Sequence, residues 1–195
     1  MPKQHVLASA GAGAAAYGIA VLGAAAVLVL AVAGSALAAS GTGLTDLAED
    51  YAGIDPAEGG VWAAVCLPFL LAGMGLMGTL GATANSSFLG ASLTMGGSLW
   101  FMPLLVTALA TGALWRSGLR AERKRPLGRA GQRWLLSAVS GLALAVVAVL
   151  CGLVFSVRAS AGGADLSVYS VSAGLFFGAL VLGTLGSLAG RSQAA

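Results

Sequence analysis

Apolar residues in this chain gather into five long runs, and polar residues separate the runs. Val6 to Ala39 is apolar almost throughout. It is longer than the roughly 20 residues a helix needs to cross a bilayer core, which predicts a spanning helix within 14–38 and Tyr17 near its entry interface. Ala36, Leu37 and Ala38 also spell an A-x-A cleavage site. The apolar region before them exceeds the roughly 7–15 residues of a signal peptide. An uncleaved anchor is therefore the reading, with cleavage as its alternative. Further runs lie at 61–80, 99–115, 134–157 and 167–189. Trp100, Phe101 and Trp115 bracket the third, Trp134 opens the fourth and Tyr169 enters the fifth, as in the aromatic belts of membrane interfaces.

The second run differs from the others. Pro68 removes a helix hydrogen bond, and Gly73, Gly75 and Gly78 each cost a helix about 1 kcal/mol. The uncharged segment after it, GATANSSFLGASLTMGGS, is small and Ser/Thr-rich, with a weak period of two from Ser92 to Ser98. Residues 158–165 read as a short Gly/Ala loop.

Charge gives these runs an orientation. Arg116 to Arg133 holds seven of the ten basic residues against one acid, Glu122, and reads as a basic loop. The segment 40–60 holds Asp46, Glu49, Asp50, Asp55 and Glu58 and no base. Short cytoplasmic loops collect Lys and Arg, so Lys3, 116–133 and Arg191 belong inside and 40–60 outside. Two full crossings between the acidic and basic segments would put the basic one outside. The conflict disappears if 61–98 is a re-entrant hairpin or broken helix, buried among its neighbours as non-helical backbone at membrane depth must be. The expectation is an all-α integral membrane protein with four transmembrane helices plus this re-entrant segment, both termini cytoplasmic, in the cell membrane. Five transmembrane helices with one charge violation is the alternative.

Composition agrees: 58% of residues are hydrophobic and 9% charged, too little charge to cover a soluble domain. The run AGMGLMGTLGATANSS, the Ser/Gly segment after it, and MPLLVTALATGALWRSGLR leading into the basic stretch resemble the streptophobe-type family of actinobacterial membrane proteins. The resemblance covers about 61–133, with a looser match in SAGLFFGALVLGTLGSLAG. It implies a multi-pass membrane protein, and it carries over no activity and no functional residue.

Candidate chemistry is sparse. His5 is the only histidine, and Cys66 and Cys151 sit singly in apolar runs, so neither a zinc site nor a Ser/His/Asp triad can be assembled. No GxSxG, HExxH or P-loop pattern occurs. No catalytic residue, cofactor or metal is expected. No ionisable residue sits in the middle of an apolar run, where ion-coupled transporters usually carry one. Asn85, Ser86 and Ser87 are candidate lining for a wet pocket, although they would equally satisfy freed backbone groups. Arg120, Arg123, Lys124 and Arg125 are candidate contacts for anionic lipid headgroups. Gly174, Gly178, Gly186 and Gly190 form two GxxxG spacings suited to close helix packing, within one chain or between two copies.

The function class this supports is a non-enzymatic interaction or accessory subunit of the cell envelope. Its partners would be membrane lipids and another membrane protein or a second copy, without nucleic acid. The alternative is a channel or transporter component using the 61–98 hairpin as pore or substrate element.

Overall fold

The computed structural model describes residues 3–38, 60–88, 91–99, 103–124, 126–127, 130–161, 164–170 and 172–194. They form five helices and four strands. In chain order these are α1 (Lys3–Ala38), α2 (Gly60–Gly75), β1 (Leu80–Phe88), β2 (Ala91–Leu99), α3 (Leu104–Lys124), α4 (Ala130–Val154), β3 (Val157–Ala161), β4 (Ala164–Tyr169) and α5 (Ala173–Gln193). Apart from Gly60, the acidic segment 40–60 lies outside the described residues.

The helices pack through small residues. Ala16, Ala20, Ala24, Ala110, Ala145, Ala148 and Ala179 meet in the core with Leu76, Leu114, Leu144 and Leu175. The large apolar side chains point the other way. Leu142, Val146, Leu150 and Leu153 on α4, and Phe177, Val181 and Leu185 on α5, are 43–62% exposed and follow one another at helical spacing. A protein in water does not present stripes of that size; helices in lipid pack through small residues and leave large ones outside. Three helical segments, Lys3–Leu30, Ala130–Val154 and Ala173–Gln193, are long and apolar enough to cross a membrane.

The helical body agrees with the all-α expectation, but the chain also builds a four-stranded antiparallel sheet in the order β2-β1-β4-β3. The strands of β1–β2 pair from Leu80↔Leu99 to Phe88↔Ala91, and β1 pairs β4 from Gly81↔Tyr169 to Ser86↔Ala164. The sheet corrects two expectations. Most of the Gly/Ala loop at 158–165 belongs to the paired strands β3 and β4, and most of 81–98 is strand and not helix or loop. The weak alternation at 92–98 is the part of this that the residues announced. Every strand connection to α2, α3, α4 and α5 falls at the Leu80–Leu99–Tyr169 end, so the sheet stands on one end of the bundle. Nine residues at about 3.4 Å each make β1 about 30 Å long.

The helix ends also move. The third apolar run, expected to span 99–115, begins as helix only at Leu104, because β2 takes the chain to Leu99. It then continues through Trp115 and Arg116 to Lys124. The expected basic loop 116–133 is thus largely helical, since Arg, Ala, Glu and Lys are good helix formers. The fourth run starts its helix four residues early, at Ala130. The fifth starts at Ala173 and not at 167, after β4 and an N-cap at Ser172. The first is helical from Lys3, well before residue 14.

At 16 residues, α2 is about 24 Å long. Its C-terminus is closed by paired turns: the Gly78 amide donates to the Gly73 carbonyl at 2.9 Å and the Met77 amide to the Met74 carbonyl at 3.1 Å. This is the Schellman arrangement, with Met77 in the left-handed position usually given to glycine, at φ 68°. Gly75 approaches Val106 in the first turn of α3, and the Thr107 hydroxyl donates to the Gly75 carbonyl. A Cβ on Gly178 would lie 2.5 Å from the Leu76 carbonyl oxygen. The end of α2 is therefore held between the first turns of α3 and α5, and β1 carries the chain from there into the sheet.

Candidate functional site

The end of the bundle opposite the sheet gathers the charge. Among the described residues, Lys3, Arg116, Arg120, Arg123, Lys124, Arg133 and Arg191 lie on the N-terminus of α1, the C-terminal halves of α3 and α5, and the N-terminus of α4; Arg158 alone is on the sheet. Trp115 and Trp134 border this layer, 38% and 54% exposed, and the Trp115 indole N–H donates to Gln193 Oε1 at 3.2 Å.

Glu122 organises the layer. It sits in the last turn of α3 and is 1% exposed. Its Oε1 accepts from the Leu127 amide at 2.8 Å and from Arg133 Nε at 3.0 Å. Arg133 Nη2 in turn donates to the Leu127 carbonyl at 2.8 Å. One carboxylate thus ties the end of α3, the connecting turn and the start of α4. A buried charge is costly unless paired and hydrogen-bonded; this one is both through Oε1, while Oε2 has no partner.

Arg191 is the second buried charge, 4% exposed. Its Nη2 donates to Ser9 Oγ at 3.0 Å, joining residues 182 positions apart, and Glu122 acts on it electrostatically. Its Nε has no hydrogen-bond partner. Beside it lies a cavity of about 300 Å³ walled by His5, Ser9, Arg120, Lys124, Leu136 and Arg191 among others. A larger one of about 540 Å³ follows between α1 and α3, walled by Ala15, Ala16, Ala108, Gly112 and Trp115 among others. The two share Ala12, Ser117 and Arg120, and so form one groove with an apolar upper part and a cationic mouth.

Of the basic residues expected at headgroups, Arg120 and Lys124 line this groove, Arg123 is exposed on α3 and lines none of the described cavities, and Arg125 lies outside the described residues. Glu122, Arg191, Ser9 and His5 were missed. A lone acid among seven bases was the available signal for Glu122; nothing local marks the meeting of Ser9 with Arg191. Asn85, Ser86 and Ser87 sit in β1, opposite Thr94, Leu93 and Ser92 of β2, with Asn85 and Ser86 also opposite Asp165 and Ala164 of β4. Four of the five glycines of α5 are those of the two GxxxG spacings: Gly174 and Gly178 meet the α2–β1 turn, and Gly186 and Gly190 meet α3 at Thr111 and Trp115. Among the described residues no three of His, Cys, Asp or Glu come together, and Cys66 and Cys151 are unbonded.

No protein-family model, curated protein or solved structure matches this chain.

Proposed function

We propose that the chain is a non-enzymatic membrane subunit that holds its sheet on the outer face of the cell membrane for a partner protein to bind. The observation that carries the reading is the sheet's open edge. In the order β2-β1-β4-β3, β2 is paired on one side only among the described residues, over nine residues. Its sequence, ASLTMGGSL, has no charge and no proline, the devices by which edge strands ordinarily avoid pairing. Such an edge accepts an added strand through main-chain hydrogen bonds.

In this reading α1, α3, α4 and α5 cross the membrane and α2 enters from the sheet side without crossing. Two features support it. At about 24 Å, α2 is shorter than the roughly 30 Å hydrocarbon core, and its C-terminus abuts the same first turns of α3 and α5 from which the sheet rises. The cationic layer then lies inside with both termini, as short basic loops do. The streptophobe-type resemblance is compatible with this placement.

Crosslinking tests the proposal. A photoreactive residue at Thr94 on β2 should capture one stoichiometric partner in native membranes, and the same residue at lipid-facing Leu150 should not. Leu93→Lys with Met95→Lys should abolish capture while the protein still inserts. Solute flux through liposomes containing the purified protein alone would favour a channel instead.

A further inference from the structure

The groove between α1 and α3 combines two surfaces that few ligands satisfy together. Its upper chamber, about 540 Å³, is within the range of small-molecule pockets, roughly 300–1,000 Å³; alanines, Gly112, Ile19, Leu109 and Trp115 make its apolar wall, and Arg116, Ser117 and Arg120 line it too. Its mouth faces His5 from α1, Arg120 and Lys124 from α3, and Arg191 from α5. Glu122 is the one acid near this mouth among the described residues, and its Oε1 is taken by Arg133. Arg116, Arg120 and Lys124 have no ion-pair partner among the described residues. Arg191, 4% exposed, lines the mouth, and its buried Nε has no partner. Burying that donor unmet is unfavourable, and an anionic oxygen would satisfy it with a charge-assisted bond.

We infer that this groove binds an anionic phospholipid, with its phosphate among Arg120, Lys124 and Arg191 and an acyl chain along Ala16, Ala108 and Gly112. The inference rests on the membrane placement proposed above, and not on the role of the sheet. Charge selects the lipid. A zwitterionic headgroup brings its own cation into a layer already rich in arginine, whereas a net-negative one does not. A free anion would leave the apolar wall of the chamber at Ala15, Ala16, Ala108 and Gly112 uncovered, whereas an acyl chain covers it. Basic pockets between helices on the cytoplasmic side are a known way of holding such headgroups.

Trp115, on the wall of the upper chamber, is a built-in reporter. With Trp62, Trp100 and Trp134 replaced by Phe, the protein is reconstituted in phosphatidylcholine containing a small, equal fraction of brominated phosphatidylglycerol or brominated phosphatidylcholine. The inference expects several-fold stronger quenching of Trp115 by the brominated anionic lipid. Arg120→Gln with Arg191→Gln should remove the preference. Gly112→Leu places its side chain where a Cβ meets nothing within 4 Å, so it should fill the chamber, leave the fold intact and weaken quenching by the anionic lipid. Millimolar inorganic phosphate should not relieve the quenching. Equal quenching by the two lipids, an unchanged preference in both variants, or release by inorganic phosphate would overturn the inference. Protein that does not enter bilayers at all would instead count against the membrane placement.

Discussion

At the scale of single residues, the fold depends on a few close contacts and one carboxylate. Glu122→Ala removes the acceptor that joins the Leu127 amide and Arg133, leaving a half-buried amide and the Arg133 Nε unmet, while Arg133 Nη2 keeps the Leu127 carbonyl. We expect a loss of about 2–3 kcal/mol, read as a lowered melting temperature in detergent. Glu122→Gln keeps an acceptor for the amide and should lose about 1 kcal/mol. At Gly178 any side chain meets the Leu76 carbonyl and Met77. Gly178→Val should therefore force the α2–β1 turn away from α5 and cost about 2 kcal/mol or more, in the same melting assay. The sequence showed that Gly178 has the spacing of a packing residue. It could not show that its neighbour is a turn about 100 positions earlier, because spacing alone names no partner.

At the scale of elements, helices were easier to read than strands for a physical reason. A helix closes its own hydrogen bonds, so a run of apolar residues at 134–157 or 61–80 declares itself locally. A strand is completed by its neighbour, and β1 finds β4 some 80 residues later. Small, uncharged segments such as LGATANSSF carry little information about that partner. Charge misled in the opposite direction: Arg116 to Lys124 looked like loop because it is basic, yet its residues favour helix.

Two measurements belong at this scale. The Ser172 hydroxyl accepts the Leu175 amide at 3.1 Å and the Thr79 amide at 3.3 Å, capping α5 and anchoring the chain just before β1. Ser172→Ala should cost about 1 kcal/mol, with amide exchange rising in both the first turn of α5 and the start of β1. The β1–β4 register places Ala84 opposite Leu166. Facing positions bring Cβ atoms within about 5.5 Å, so Ala84→Cys with Leu166→Cys, in a chain lacking Cys66 and Cys151, should oxidise readily to a disulfide. Ala84→Cys with Val168→Cys, two positions out of register, should oxidise far more slowly. The reverse order would mean another pairing.

At the scale of the whole molecule, the account is one of polarity along the bundle: a sheet with one uncharged edge, β2, at one end, seven described basic side chains at the other, and apolar stripes between. The membrane habit was legible from composition and run length alone, because lipid demands both. The groove was not, since its walls come from four helices and its innermost cation, Arg191, stands at the far end of the chain from Ser9. The central claim is that sheet and basic layer lie on opposite sides of the membrane. It is tested most directly by single cysteines at Ser87 in β1 and at Gly131, the second residue of α4, each in a chain without Cys66 and Cys151, probed in intact cells with an impermeant thiol reagent. We expect Ser87→Cys to react from outside and Gly131→Cys to react only after the cells are opened. Labelling of both from the same side, or of Gly131→Cys alone in intact cells, would contradict it.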